Sequence, residues 1–236
     1  MKRKARLQNI LHRPLALDLS PAFPTQRARL PSSIKAASFA IYVEPPSARG
    51  LNEILPALRK KVHADMKPSR ASSRYSALAG HGLSRKGGTS AWLESESTHN
   101  SDTQDVASYL GYRLIVTNRL EPIGYCTFSL CIRCDGSVEI GVQEVWLEAR
   151  YRCIALGQDL ARKIALLAQS AFEQVDSRAS DTGLEQLSLN LLVSGDVYSE
   201  SGACFVRSVA AALDFETRYA TWFIIQIKSI ACDPRW

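Results

Sequence analysis

Between Val138 and Ala168 the sequence places a strand, the turn Arg150-Tyr151-Arg152-Cys153-Ile154-Ala155-Leu156-Gly157, and a helix opening at Gln158-Asp159-Leu160-Ala161. A strand that feeds a small-residue turn at a helix N-terminus points the unpaired N–H groups of the first turn at an anion. The helix dipole adds about half a positive charge there. Arg152 can supply charge-assisted hydrogen bonds to a phosphate or carboxylate held at that turn. The strand itself carries Glu139, Glu144 and Glu148. A regular hairpin after Asp135-Gly136 puts Glu139 on one face with Gly141, Gln143, Val145 and Leu147. It puts Glu144 on the other face with Ile140, Val142 and Trp146. A carboxyl among apolar neighbours has a raised pKa and suits a general base, which favours Glu144 on physical grounds. A bulge in this strand exchanges the faces.

The elements that must position these residues are legible from about Val106 onward. Residues 110–119 read as a strand. Residues 123–134 alternate, with Cys126, Phe128, Leu130 and Ile132 on one side and Tyr125, Thr127, Ser129 and Arg133 on the other. Asp135-Gly136 is a two-residue hairpin turn, and 137–148 return as the partner strand. A helix of about twenty residues follows, striped by Leu160, Ile164, Leu167, Ala168, Phe172 and Val175. Then come a strand at Leu187–Val193, a helix from about Ser199 or Ser201 to Leu213, and a strand at Arg218–Lys228. Upstream, 36–43 read as a strand stopped by Pro45-Pro46. A helix carrying Leu51, Ile54, Leu55, Leu58 and Val62 follows it, with Asn52 as a cap. An antiparallel meander followed by alternating helices and strands predicts an α/β (α+β) domain. Its central sheet is mixed and mostly antiparallel, with helices on both faces.

The net charge of +6 is concentrated at the start. Residues 1–35 hold eight Lys or Arg against Asp18 alone, leaving the rest of the chain close to neutral. Residues 1–33 also contain Pro14, Pro21, Pro24 and Pro31, with one short helix predicted near Leu7–Leu11. They read as a basic, disordered arm before a single domain at 34–232. Such an arm can dock on nucleic acid or another acidic partner, address an organelle, or stay solvated. Residues 64–104 are rich in Ser and Gly and read as a flexible insertion. No apolar run approaches the roughly 18 residues of a membrane helix. The six cysteines follow no secretory signal and read as reduced, mostly buried thiols, which makes the cytoplasm the expected location. Cys131 and Cys134 lie three apart in a strand pattern and face opposite ways, and the four histidines are isolated, so no metal site is expected.

The segment Val145-x-Leu147, then Arg152-x-x-Ala155-x-Gly157, then Gln158 to Ala161 resembles motif A of the GNAT superfamily of N-acetyltransferases. The hairpin from Glu121 through Asp135-Gly136 resembles the superfamily's strands two to four, and the resemblance covers about 105–230 well and 36–63 more loosely. It implies a GNAT-like acyl-CoA N-acyltransferase fold and acetyl-CoA as cosubstrate. The coenzyme would be held by Val145, Leu147, Arg152, Cys153, Ile154, Ala155, Leu156, Gly157 and Gln158, with its pyrophosphate on the amides of the turn. It implies acetyl transfer to an amine of a small molecule or protein by direct attack in a ternary complex. The family spacing selects Glu139 as base, where the physical reading selects Glu144. Two departures stand out. Ala155 replaces a preferred glycine, and its methyl either crowds the pyrophosphate or opposes a positive-φ backbone. The helix after the fifth strand lacks the family's tyrosine; Ser208 lies near that place and Tyr198, just before the helix, is the nearest substitute. These departures motivate an alternative: a binding or regulatory protein that keeps the fold without turnover, associated with nucleic acid through its arm.

Overall fold

A computed structural model of the chain describes residues 2–11, 15–24, 38–44, 51–66, 106–152 and 154–236. Six strands form one mixed sheet in chain order: β1 (Phe39–Glu44), β2 (Val106–Asn118), β3 (Glu121–Arg133), β4 (Ser137–Leu147), β5 (Leu187–Asp196) and β6 (Ile225–Arg235). β1 to β4 pair antiparallel, and β4, β5 and β6 pair parallel. Among the described residues four α-helices accompany it: α1 (Lys2–Leu11), α2 (Leu51–Met66), α3 (Leu156–Asp181) and α4 (Glu200–Arg218). α3 crosses from β4 to β5 and α4 from β5 to β6. Both steps run the same way across the sheet, so the common handedness of parallel crossovers sets both helices on one face.

That face carries the main core. Phe128, Leu130, Ile132, Val138 and Ile140 of the sheet pack with Leu160, Ile164 and Phe172 of α3 and Val209 and Leu213 of α4. The other face is covered by α2, whose Leu58 and Val62 pack on Ile115 and Tyr125. Lys61 ties α2 down beside this contact. Its ammonium donates to Glu121 (2.5 Å), Glu148 (3.0 Å) and the carbonyl of Pro122 (2.9 Å). The hydrogen bond from Lys61 holds the Glu121 carboxyl below its ordinary range. No helix among the described residues is long and apolar enough to cross a membrane.

The N-terminal segment corrects the expectation of a disordered arm. Residues 2–11 form α1, which buries Leu7, Ile10 and Leu11 in the main core. Residues 15–24 then run extended along α3. Gln174 takes both the N–H (2.8 Å) and the carbonyl of Ala16, and Ser170 accepts from the N–H of Asp18 (3.3 Å). Lys163 donates to the carbonyl of Ser20 (2.9 Å), and Ala22 bridges Ile41 of β1. Four helical residues rise about 6 Å and two extended residues about 6.6 Å, so Gln174 and Ser170 match Ala16 and Asp18. Burial pulls the Lys163 ammonium below its ordinary value, with the Asp18 charge opposing that shift. Leucines at 7, 11, 15, 17 and 19 do what proline and arginine counts hide: they supply apolar surface to bury. The remaining arm positions, 1, 12–14 and 25–33, lie outside the described residues, as do 67–104 of the expected insertion; Ala64 to Met66 complete α2.

The last strand also departs from expectation. Arg218 to Lys228 is not one strand: α4 continues to Arg218, with an ion pair to Asp214 one turn back (2.6 Å), and β6 begins at Ile225.

Candidate functional site

β4 departs from regular alternation. Thr127 of β3 faces Glu144 and Phe128 faces Val142, so Gln143 is one residue too many. This bulge places Glu139, Gly141, Glu144 and Trp146 on the α2 face of the sheet. Val138, Ile140 and Val142 stay on the core face, and Val145 and Leu147 join them there, half-buried against the main core. The expectation that Glu139 and Glu144 point to opposite faces, with Glu144 among Ile140 and Val142, is therefore corrected. Both acids look out on the same side.

They differ in what holds them. Glu139 accepts a hydrogen bond from Ser194 Oγ (2.9 Å), and the guanidiniums of Arg235 (3.6 Å) and Arg133 (3.7 Å) flank it. Glu144 is half-buried and accepts from the Tyr125 hydroxyl (3.4 Å). Tyr125 stacks on Trp146, with ring centroids 6.2 Å apart. Thr127, directly across from Glu144, is buried, and its hydroxyl has no hydrogen-bond partner among the described residues. A cavity of about 330 Å³ opens at Glu139, walled by Ser129, Glu139, Gly141, Ser194 and Arg235; Glu144 is not part of its wall. Tyr198 stands on its rim, 88% exposed, just ahead of Ser199, whose hydroxyl caps α4.

The cavity exists because two parallel strands part. β4 and β5 pair from Ser137 with Asn190 to Val142 with Gly195 and no further. At Gly195 a Cβ would lie 2.9 Å from the Val142 carbonyl and 3.0 Å from Val206, so only glycine permits the closest approach just before the strands separate. Among the described residues β4 beyond it keeps β3 alone as a strand partner, and its other edge, from Gln143 to Leu147, presents backbone groups to the opening, the Leu147 carbonyl accepting from Arg152.

The chain leaves β4 through a short 3₁₀ turn, Ala149–Tyr151, passes Arg152 in an extended conformation, and enters α3 at Leu156. Ala155 caps α3 in the left-handed region, at φ 65° and ψ 7°. Of the two effects its methyl group could have, excluding a positive φ is therefore ruled out. The carbonyl of Ala155 accepts from the N–H groups of Gln158 (2.9 Å) and Asp159 (3.2 Å), closing the first turn. Leu156 and Gly157 come too early in α3 for intrahelical partners of their own. The Leu156 side chain is in the core, Ile154 packs partly against it, and Gln158 is exposed. Val145, Leu147 and Leu156 could meet a ligand through their backbone only. Cys153 lies outside the described residues. The Arg152 guanidinium donates through Nε to the Leu147 carbonyl (2.7 Å) and through Nη2 to Asp65 of α2 (2.9 Å).

A left-handed alanine costs roughly 1 kcal/mol relative to glycine. Ala155→Gly is therefore expected to stabilise the protein by about 0.5–1 kcal/mol, read as a higher midpoint in urea at unchanged slope. A lower midpoint would mean that the turn does not need this conformation.

Residues given no role in the site from the sequence complete it: Asp65, Thr127, Arg133, Ser194 and Arg235. Ser194 carried a weak signal, as one of the polar residues (with Ser188 and Asn190) that alternate with Leu189, Leu191 and Val193 in β5, and unlike them it is buried. Arg235 and Asp65 carried none, since only strand pairing and helix docking bring them to β4. No family model matches the sequence, and no curated protein matches it significantly.

Proposed function

We propose that this chain is a GNAT-like N-acetyltransferase. It would hold acetyl-CoA along the opening between β4 and β5, with the pyrophosphate at the turn into α3, and would act on an amine presented from the α2 side. The observation that carries this reading is Ala155. An alanine held at φ 65° at the mouth of a 26-residue helix keeps the backbone of a glycine turn without the glycine. That retention makes sense where the amides of the turn are wanted in a fixed direction. The parting of β4 and β5 and the unpaired edge of β4 support it as a place for an extended ligand.

Bound acetyl-CoA supplies an acetyl group activated as a thioester. The residues of this chain must then make an amine nucleophilic and stabilise the oxyanion. An alkyl ammonium with a pKa of about 10.4 is neutral in only about one molecule in 2,500 at pH 7, so a base that removes its proton during attack matters. Glu144 is the better placed of the two acids. It is half-buried, past the point where the strands part, and accepts a long hydrogen bond from the Tyr125 hydroxyl. Glu139 is engaged by Ser194 and flanked by two guanidiniums, and its role is to anchor the cavity wall. Backbone N–H groups of the free β4 edge are the donors available to the oxyanion. Tyr198, on the rim, is the group assigned to return a proton to the leaving thiolate.

A second reading, a coenzyme-binding protein without turnover, is favoured by one observation: no tyrosine lies in Glu200–Arg218. Melting the protein with acetyl-CoA, free coenzyme A and ATP tests the shared part of both readings. Ligand at about 100 times its dissociation constant should stabilise by about 2.7 kcal/mol, a rise of a few degrees. A rise with both coenzymes and none with ATP supports the site; no rise at millimolar coenzyme removes it.

A further inference from the structure

Asp65, near the C-terminal end of α2, gathers two donors on one oxygen. Its Oδ2 accepts from the indole N–H of Trp146 (2.8 Å) and from Nη2 of Arg152 (2.9 Å). Arg152 needs no help from Asp65 to stay at the turn, because its Nε already donates to the Leu147 carbonyl (2.7 Å). What Asp65 adds is a negative charge on the Arg152 guanidinium, which flanks the turn into α3. The pair is open to solvent, with the Arg152 side chain 49% and the Asp65 side chain 40% exposed. A phosphate arriving at Arg152 can displace the carboxylate without unpacking any core.

We propose that Asp65 is a built-in competitor for the anion site. It occupies Arg152 while no ligand is bound and yields it to a phosphate, so it lowers the site's affinity and reports occupancy to Trp146 and α2. The inference rests on the reading that a coenzyme pyrophosphate lies at this turn. Its sign is opposite to that of a positioning role. A residue that merely aimed Arg152 would weaken binding when removed, whereas a competitor tightens it. An ion pair this exposed is individually weak, and a carboxylate this close to a polyanion repels it. Removing the charge should therefore tighten binding by about three- to ten-fold at low salt, less at high salt.

The test is calorimetric titration of the full chain and of Asp65→Asn and Asp65→Glu, with coenzyme A and with inorganic pyrophosphate as separate probes. Both substitutions lie on a partly exposed helix end, and melting temperature checks that they fold. The expected result is tighter binding of both probes by Asp65→Asn and near-native binding by Asp65→Glu. The indole N–H resonance of Trp146, identified by its loss in Trp146→Phe, should shift on titration in the native chain. It should already lie near the shifted position in Asp65→Asn. Native coenzyme binding that is unchanged or weakened in Asp65→Asn overturns the competitor and leaves the coenzyme site standing. Tightened pyrophosphate binding with coenzyme A no better than pyrophosphate supports the competitor and removes the coenzyme reading. No binding of either probe by either protein overturns both.

Discussion

Glu144→Gln is expected to lower acetyl transfer by about 10²–10³-fold, with kcat carrying the loss and the affinity for acetyl-CoA nearly unchanged. Glutamine keeps the size of the side chain and an oxygen to accept from Tyr125, so the wall made by Tyr125 and Trp146 stays in place. What it cannot do is take a proton from an ammonium. The paired control is Glu139→Gln. That change weakens contacts to Ser194, Arg133 and Arg235 and should lower the melting temperature while costing less than about ten-fold in rate. Single-turnover rates with a panel of primary amines decide between them. If Glu139→Gln abolishes transfer and Glu144→Gln does not, the roles are reversed. If neither variant loses more than three-fold, neither acid is the base.

The second large effect concerns stability. Asp176, buried in α3 with 4% of its surface exposed, accepts three backbone hydrogen bonds: from Phe223 (2.9 Å), Ile224 (2.8 Å) and Ile225 (2.7 Å). One carboxylate thus satisfies the donors of the segment that turns from α4 into β6. Asp176→Ala leaves those donors without a partner and opens a small void, and it should cost about 3–5 kcal/mol. Asp176→Asn is expected to be intermediate, because its NH₂ group turns a donor toward donors. Urea unfolding measures both, and hydrogen exchange should show lost protection at Phe223 to Ile225 in particular. A cost below about 1 kcal/mol for Asp176→Ala would mean that water replaces the carboxylate there and that β6 is anchored by its pairing with β5 alone.

The two cases mark where the sequence can be read and where it cannot. The alternation in β3 was legible because each of its faces is buried by something apolar, and Cys126, Phe128, Leu130 and Ile132 do line the main core. The helix stripe of α3 was legible for the same reason. In β4 the same reasoning kept Glu139 with Gly141 but misplaced Glu144, because Gln143 is a polar residue in an alternating run and nothing local marks it as the extra one. Register shifts are decided by cross-strand pairing, which here involves residues fourteen to seventeen positions away. The N-terminal arm misled through composition. Its charge and prolines describe an unfolded segment, while Leu7, Ile10 and Leu11 find a core only once α3 exists to receive them.

By itself, the sequence determined the order and type of most elements, the Asp135-Gly136 turn, and the turn-to-helix step between Arg152 and Gln158. These depend on local backbone preference and on the period at which apolar residues recur, both of which are written in neighbouring positions. Only the tertiary structure decided that Ala155 is left-handed, that Glu139 and Glu144 share a face, that β4 and β5 part at Gly195, and that Asp65 reaches Arg152. Each of those is set by contacts between segments distant in the chain, whose energies depend on distance in space and leave no period in the sequence.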